Sequence, residues 1–133
     1  MIGLSLLYAD FIKTGDIVKD SVSQLEWQDD AVGSTMTWES AITHCETLSL
    51  GGHSDWRLPN INELKSIVDL SKVNPAIVNG FANTSPSFSN NYWSSTSYEN
   101  NRKAAWYVYF YTGTVDGDYK SESVYVRCVR DGQ

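Results

Sequence analysis

Residues Ala104–Tyr111 alternate more strictly than any other stretch of this chain, and that alternation commits it to a sheet. In an extended strand successive side chains point to opposite faces, so Trp106, Val108 and Phe110 share one side while Tyr107, Tyr109 and Tyr111 share the other. The wholly apolar set is the better candidate for core, which turns some of the tyrosines toward solvent. Gly113 then turns the chain. Val124–Arg130 reads as a closing strand, with Val124, Val126 and Cys128 inward and Tyr125 and Arg127 on the opposite face. The interval Thr114–Ser123 carries Asp116-Gly117-Asp118-Tyr119-Lys120 and reads as a polar loop.

The first half carries other signals. Ile17-Val18 and Leu25-Glu26-Trp27-Gln28 alternate apolar and polar residues, which predicts short strands with one buried face. Thr37 is a candidate N-cap, and Trp38, Ala41, Ile42, Cys45 and Leu48 form the stripe of an amphipathic helix that Gly51-Gly52 ends. In Leu58-Pro59-Asn60-Ile61-Asn62-Glu63, proline holds Leu58 extended, Asn60 is placed to cap, and Glu63 can complete a capping box. A second helix over about 61–70 follows, with Ile61, Leu64, Ile67 and Val68 on one face. Trp56 then reads as core and Arg57 as a partner of loop carbonyls or a carboxylate. Residues 74–101, rich in Asn, Ser, Pro and Gly, read as a long loop anchored by Phe81, Phe88, Tyr92 and Trp93. Met1–Ala9 is apolar but too short to span a membrane. It reads as the remnant of a signal sequence or, because Leu4, Leu6 and Tyr8 alternate, as an edge strand, the preferred reading; an export signal, if there is one, is then expected upstream.

With 133 residues and 13% aromatic content the chain fits one folded domain, 1–133. Its net charge is −6, divided as −7 over residues 1–70 and +1 over residues 71–133. No basic stripe exists to neutralise phosphates, which excludes a nucleic-acid binder. Cys45 and Cys128 lack a CxxC partner and are too few for a structural zinc site. They read as a disulfide or as two buried free thiols of a cytosolic protein. A bond would close a loop of 83 residues and stabilise the fold by at most roughly 4–5 kcal/mol in the chain-entropy model.

Three short blocks carry a family likeness. Asp55-Trp56-Arg57-Leu58-Pro59-Asn60-Ile61-Asn62-Glu63-Leu64, Tyr92-Trp93-Ser94-Ser95 and Val126-Arg127-Cys128-Val129-Arg130 stand in order, with one cysteine before the first and one inside the last. In order and spacing they resemble the Lcl C-terminal domain family of bacterial surface proteins, from about Asp16 to Arg130. The resemblance implies an α+β domain with a C-type-lectin-like, formylglycine-generating-enzyme-like fold: two helices, a twisted and mainly antiparallel sheet, and long loops. It also implies that Cys45 and Cys128 pair, tying the first helix to the last strand, and that the setting is extracellular, cell-surface or periplasmic. A collagen-like adhesin of that family binds glycosaminoglycans through this domain, so a glycan is the implied ligand. Formylglycine-generating activity is not implied, because it needs reactive cysteines.

The expected function is therefore non-catalytic binding, most of all glycan recognition in adhesion; the alternative is a protein-interaction or self-assembly module. Seven of the eight tyrosines lie between Tyr92 and Tyr125, and tyrosine offers flat, rigid contact area with a hydroxyl handle. The expected ligand face is Tyr98, Asn101, Arg102, Tyr107, Tyr109, Tyr111 and Lys120, with Asn90, Asn91, Asn100 and Lys103 around it; the tyrosines of the strand could equally form a covered cross-strand ladder. With only Arg102, Lys103, Lys120, Arg127 and Arg130 as basic candidates, a neutral glycan or a host or cell-surface protein fits better than a sulfated polyanion. His44 sits beside Cys45 but faces another way, and His53 and Asp55 have no nucleophile nearby, so no catalytic residues are expected. Asp116, Asp118 and Glu122 offer oxygens suited to calcium. Their spacing is not that of an EF-hand and no lectin calcium motif is present, so they read as a solvated acidic loop and no cofactor is expected. Oligomeric state is left open.

Overall fold

The computed structural model describes residues 8–132, which form two helices and two antiparallel sheets linked by one disulfide. The Leu4–Leu6 alternation lies outside the described residues. Strands β1 (Phe11–Thr14), β2 (Ile17–Asp20) and β3 (Leu25–Gln28) follow one another as a meander, and β7 (Val129–Asp131) pairs with β3 to complete the first sheet in the order β1-β2-β3-β7. The second sheet has the order β4-β5-β6, from Asn91–Ser97, Ala104–Tyr109 and Thr114–Tyr119.

Helix α1 (Trp38–Glu46) turns Ala41 and Cys45 into the core, as its apolar stripe requires. Thr37 stands at the N-cap position, but its hydroxyl hydrogen-bonds Ser40 Oγ at 3.0 Å and caps no backbone donor. The helix stops at Thr47, before the glycines, whose positive φ values of 61° and 79° instead shape the turn between Leu50 and His53. Helix α2 (Ile61–Lys65) begins as Pro59 and Asn60 dictate: Asn60 Oδ1 accepts from Glu63 N at 2.8 Å, and Glu63 Oε1 accepts from Asn60 N at 2.9 Å. It is shorter than the expected 61–70. After Lys65 the backbone donors shift to carbonyls three residues back and Val68 bridges to Ile77, yet Leu64 and Ile67 still enter the core.

The second half departs furthest from expectation. Tyr92 and Trp93 are not loop anchors; they pair with Val108 and Tyr107 inside β4 and β5. The predicted polar loop after Gly113 is strand β6, paired with β5 from Ala104↔Tyr119 to Tyr109↔Thr114. Its aspartates mask that strand because charge is tolerated, and protective, on a sheet edge. The second sheet is also covered on both sides at its centre. Tyr92, Val108 and Phe110 join Val18, Trp27, Leu64, Ile67, Ile77 and Val129 in one core. Trp93 and Ala105 join Ala41, Cys45, Trp56, Leu58, Val124 and Cys128 in another.

The last segment stitches these layers together. Tyr125 bridges Tyr92 in parallel, Cys128 accepts a bond from Gln28 N at 2.9 Å, and Val129 bridges Arg57 before entering β7. Cys128 is bonded to Cys45 of α1 within the second core, their Cα atoms 5.5 Å apart. Because residues 126–128 do not continue a regular strand, the expected in-out alternation fails there. Arg127, expected on the open face, is buried with Cys128, while Val126 is only half-buried.

Candidate functional site

Tyr98 follows the end of β4, where a register shift between Trp93 and Ser97 breaks the pairing with β5. Such an irregularity re-aims a side chain. The Tyr98 ring swings across to Trp106 of β5, with centroids 4.3 Å apart at an angle of 44°. Gly117 of β6 makes this possible. A Cβ there would lie 2.1 Å from Tyr98 Cε1, so the ring occupies the space a side chain would need. The Tyr98 hydroxyl donates to Asp116 Oδ1 at 3.1 Å. Desolvation first, and the Asp116 carboxylate second, push the phenol pKa above its ordinary value.

Around these two rings lies a groove of about 560 Å³. Val115 and Ile61 contribute apolar surface, and Lys65, Thr96, Ser97, Glu99 and Asn100 contribute polar groups. Helix α2 fixes one wall, because Thr96 Oγ1 accepts from the Ile61 N–H at 3.0 Å. Trp106 is half-buried here, although the alternation assigned it to the core. The groove thus combines aromatic ring surface with convergent hydroxyl, amide and charged groups, the composition expected of a small-molecule or sugar site.

The expected ligand face does not form one surface. Tyr98 is in the groove, and Asn101 and Arg102 are exposed in the connection to β5, where Asn101 Oδ1 accepts from Lys103 N at 3.0 Å. Tyr107 is half-buried against the second core, opposite Trp106; desolvation, then Asp116 and Asp118, raise its phenol pKa. Tyr109 stacks on Tyr111 at 5.8 Å, and Tyr111 meets Phe88 at 5.2 Å, making a separate aromatic row. Lys120 leans over Trp38, its Nζ 3.9 Å from the ring centroid, and donates to Ser97 Oγ at 2.7 Å. Asn90 is fully buried, its amide donating to Ser85 O at 3.1 Å.

Asp116 and Asp118 satisfy neighbouring backbone donors at 2.8 Å each, and no group of acidic, histidine or cysteine side chains fit to hold a metal occurs among the described residues. Trp106, Val115, Ile61, Lys65, Thr96, Ser97 and Glu99 line the groove but were not among the expected ligand residues. An isolated glycine in a strand signals a close approach, but Gly117 carried that signal only once β6 was recognised as a strand.

Two arginines of the three sequence blocks, Arg57 and Arg130, are held in ion pairs. Arg57 forms a bidentate pair with Glu63, 2.8 Å on both arms, and reaches Asp131 at 2.8 Å. These bonds lower the Glu63 pKa and raise that of Arg57. Arg130 pairs with Asp55 and Glu26, both at 2.7 Å, and lowers the Asp55 pKa. Trp56 is buried with its indole N–H directed at Leu50 and His53 carbonyls. No helix among the described residues is long and apolar enough to cross a membrane. The sequence pattern of the Lcl C-terminal domain matches residues 16–130. No curated protein matches this chain.

Proposed function

The chain belongs to the Lcl C-terminal domain family, and from that premise we propose that it is a non-catalytic binding domain of an exported protein, on a C-type-lectin-like scaffold, that takes a neutral glycan in the Tyr98–Trp106 groove. The carrying observation is the half-buried Trp106 packed on Tyr98 beside hydroxyl and amide groups. Aromatic faces take the C–H surfaces of a sugar, and the polar groups take its hydroxyls. Charge supports a neutral ligand: the net charge is −6, and Arg127 and Arg130 are withdrawn into ion pairs. The disulfide supports an extracellular, cell-surface or periplasmic setting. Binding is independent of calcium in this reading.

A glycan array screened with calcium and again with EDTA tests it. Neutral glycans should bind equally in both, and Trp106→Ala should weaken the best of them about tenfold, ~1.4 kcal/mol. Hits confined to sulfated glycans, or lost in EDTA, overturn the reading.

A second reading, a protein partner or another copy of the chain, rests on the other aromatic surface. Phe88 is 74% exposed beside Tyr111, and Leu70 (76%) and Val73 (64%) are exposed nearby in the chain segment that meets the 111–113 turn.

A further inference from the structure

A second cavity, of about 180 Å³, lies between the exposed loop 31–34, helix α1 and the segment leading to Cys128, and shares no lining residue with the groove. Asp30, Ser34, Met36, Tyr92 and Arg127 line it. Its chemistry is set by the neighbouring Asp29, whose side chain is fully buried. The Asp29 carboxylate accepts from Ala82 N at 2.8 Å, Asn83 N at 2.9 Å, Lys13 Nζ at 2.8 Å and Arg127 Nη2 at 3.3 Å. Two cations therefore share one anion. Arg127 also donates from Nη2 to the Asn83 carbonyl, and the Phe81 and Tyr92 rings lie 4.6 and 5.6 Å from its guanidinium carbon. That leaves Nη1 buried without a hydrogen-bond partner among the described residues, on a side chain only 4% exposed. An unsatisfied buried donor is costly, and a native fold rarely keeps one without a use.

We infer that this cavity is a second binding site, for one compact neutral polyol such as a single sugar ring, free or at the end of a chain, held by Arg127 as donor and Asp30 as acceptor. The neutral class follows from the pair. An anion would gain the spare Arg127 donor but face Asp30, and a cation would gain Asp30 but face Arg127. A hydroxyl both donates and accepts, so a polyol satisfies the two together. Asp30 is held ready, since its Oδ1 accepts from Gln28 Nε2 at 2.9 Å. Met36 and Tyr92 supply apolar surface for the ligand's carbons. The volume equals about six waters at roughly 30 Å³ each, which suits one ring and not an oligosaccharide.

The test is an amide-resolved NMR titration of the full chain carrying Trp106→Ala, so that the groove is disabled and its success or failure is read separately. Glucose, galactose, N-acetylglucosamine and a linear trisaccharide are the neutral probes; acetate, inorganic phosphate and ammonium are the charged ones. At least one neutral probe should give saturable shifts at residues 30–36 and 126–127, and Asp30→Ala should weaken it at least tenfold. Arg127→Lys, which keeps the charge and removes Nη1, should do the same; if that variant does not fold, Asp30→Ala decides alone. Absence of saturable shifts with every neutral sugar, tighter binding of a charged probe, or full affinity in folded Asp30→Ala overturns the inference.

Discussion

The groove and the aromatic row use the same sheet and similar residues, yet they are built on different principles. In the groove, Tyr98 is fixed from three sides: it packs on Trp106, bonds Asp116 and fills the place of a missing side chain at Gly117. In the row Tyr109–Tyr111–Phe88 the rings contact one another, and the row ends in a phenylalanine that is mostly exposed. A preorganised ring loses little freedom when a ligand arrives, whereas an exposed ring at the end of a row gains chiefly from burial. On the proposed reading, this difference suits the groove to a small polar ligand and the row to a broader apolar partner.

The sharpest way to break this comparison is Gly117→Val. The new side chain takes the space of the Tyr98 ring, so glycan binding should be lost and the unfolding free energy should fall by about 1–3 kcal/mol through overpacking. Calorimetric titration and urea unfolding measure both; retained affinity would separate Tyr98 from the site. Asn60→Ala should cost about 1 kcal/mol of stability through the lost cap. Because α2 walls the groove, amide protection should fall at Ile61–Lys65 and remain at Tyr109–Tyr111 in hydrogen exchange. Phe88→Ala should leave glycan affinity within twofold and cost roughly 0.5–1.5 kcal/mol of stability, the usual worth of an aromatic pair. A tenfold loss of glycan affinity there would merge the two surfaces into one.

Acid provides the mildest probe. Glu63 and Asp55 are held below their unfolded values, about 4.3 and 3.9, by arginine. Their contribution to stability is fully present above those values and is lost as pH falls through the depressed folded ones. The melting temperature should thus decline below about pH 4, and Arg57→Ala should remove the Glu63 share of that decline.

What could be read from the sequence depended on how local the cause was. The start of α2 was legible in full, since proline, asparagine and glutamate act within four residues of each other. The β2 and β3 strands and the apolar face of α1 were legible for the same reason. Strands β4 and β6 were not, because Asn91–Ser97 and Thr114–Tyr119 owe their conformation to pairing with β5, and their Asn, Ser, Asp and Gly content belongs to turns when read alone. The alternation of β5 marked its strand and put Val108 and Phe110 in the core, but it wrongly buried Trp106 with them. A period of two says that Trp106 and Tyr107 point oppositely; it does not say that the second sheet has a core on each side. Arg127 was lost to sequence reading because its partner, Asp29, stands 98 residues away.

The stitching of both sheets by the final segment has a consequence for how the domain is made. Synthesis proceeds from the N-terminus, so β3 has one neighbour, Cys45 has no partner and Asp29 lacks Arg127 until residues 124–131 have emerged. Every one of those contacts closes a long stretch of chain, which delays it further. A growing chain therefore carries helices and hairpins but none of these three long-range contacts until residues 124–131 have been delivered.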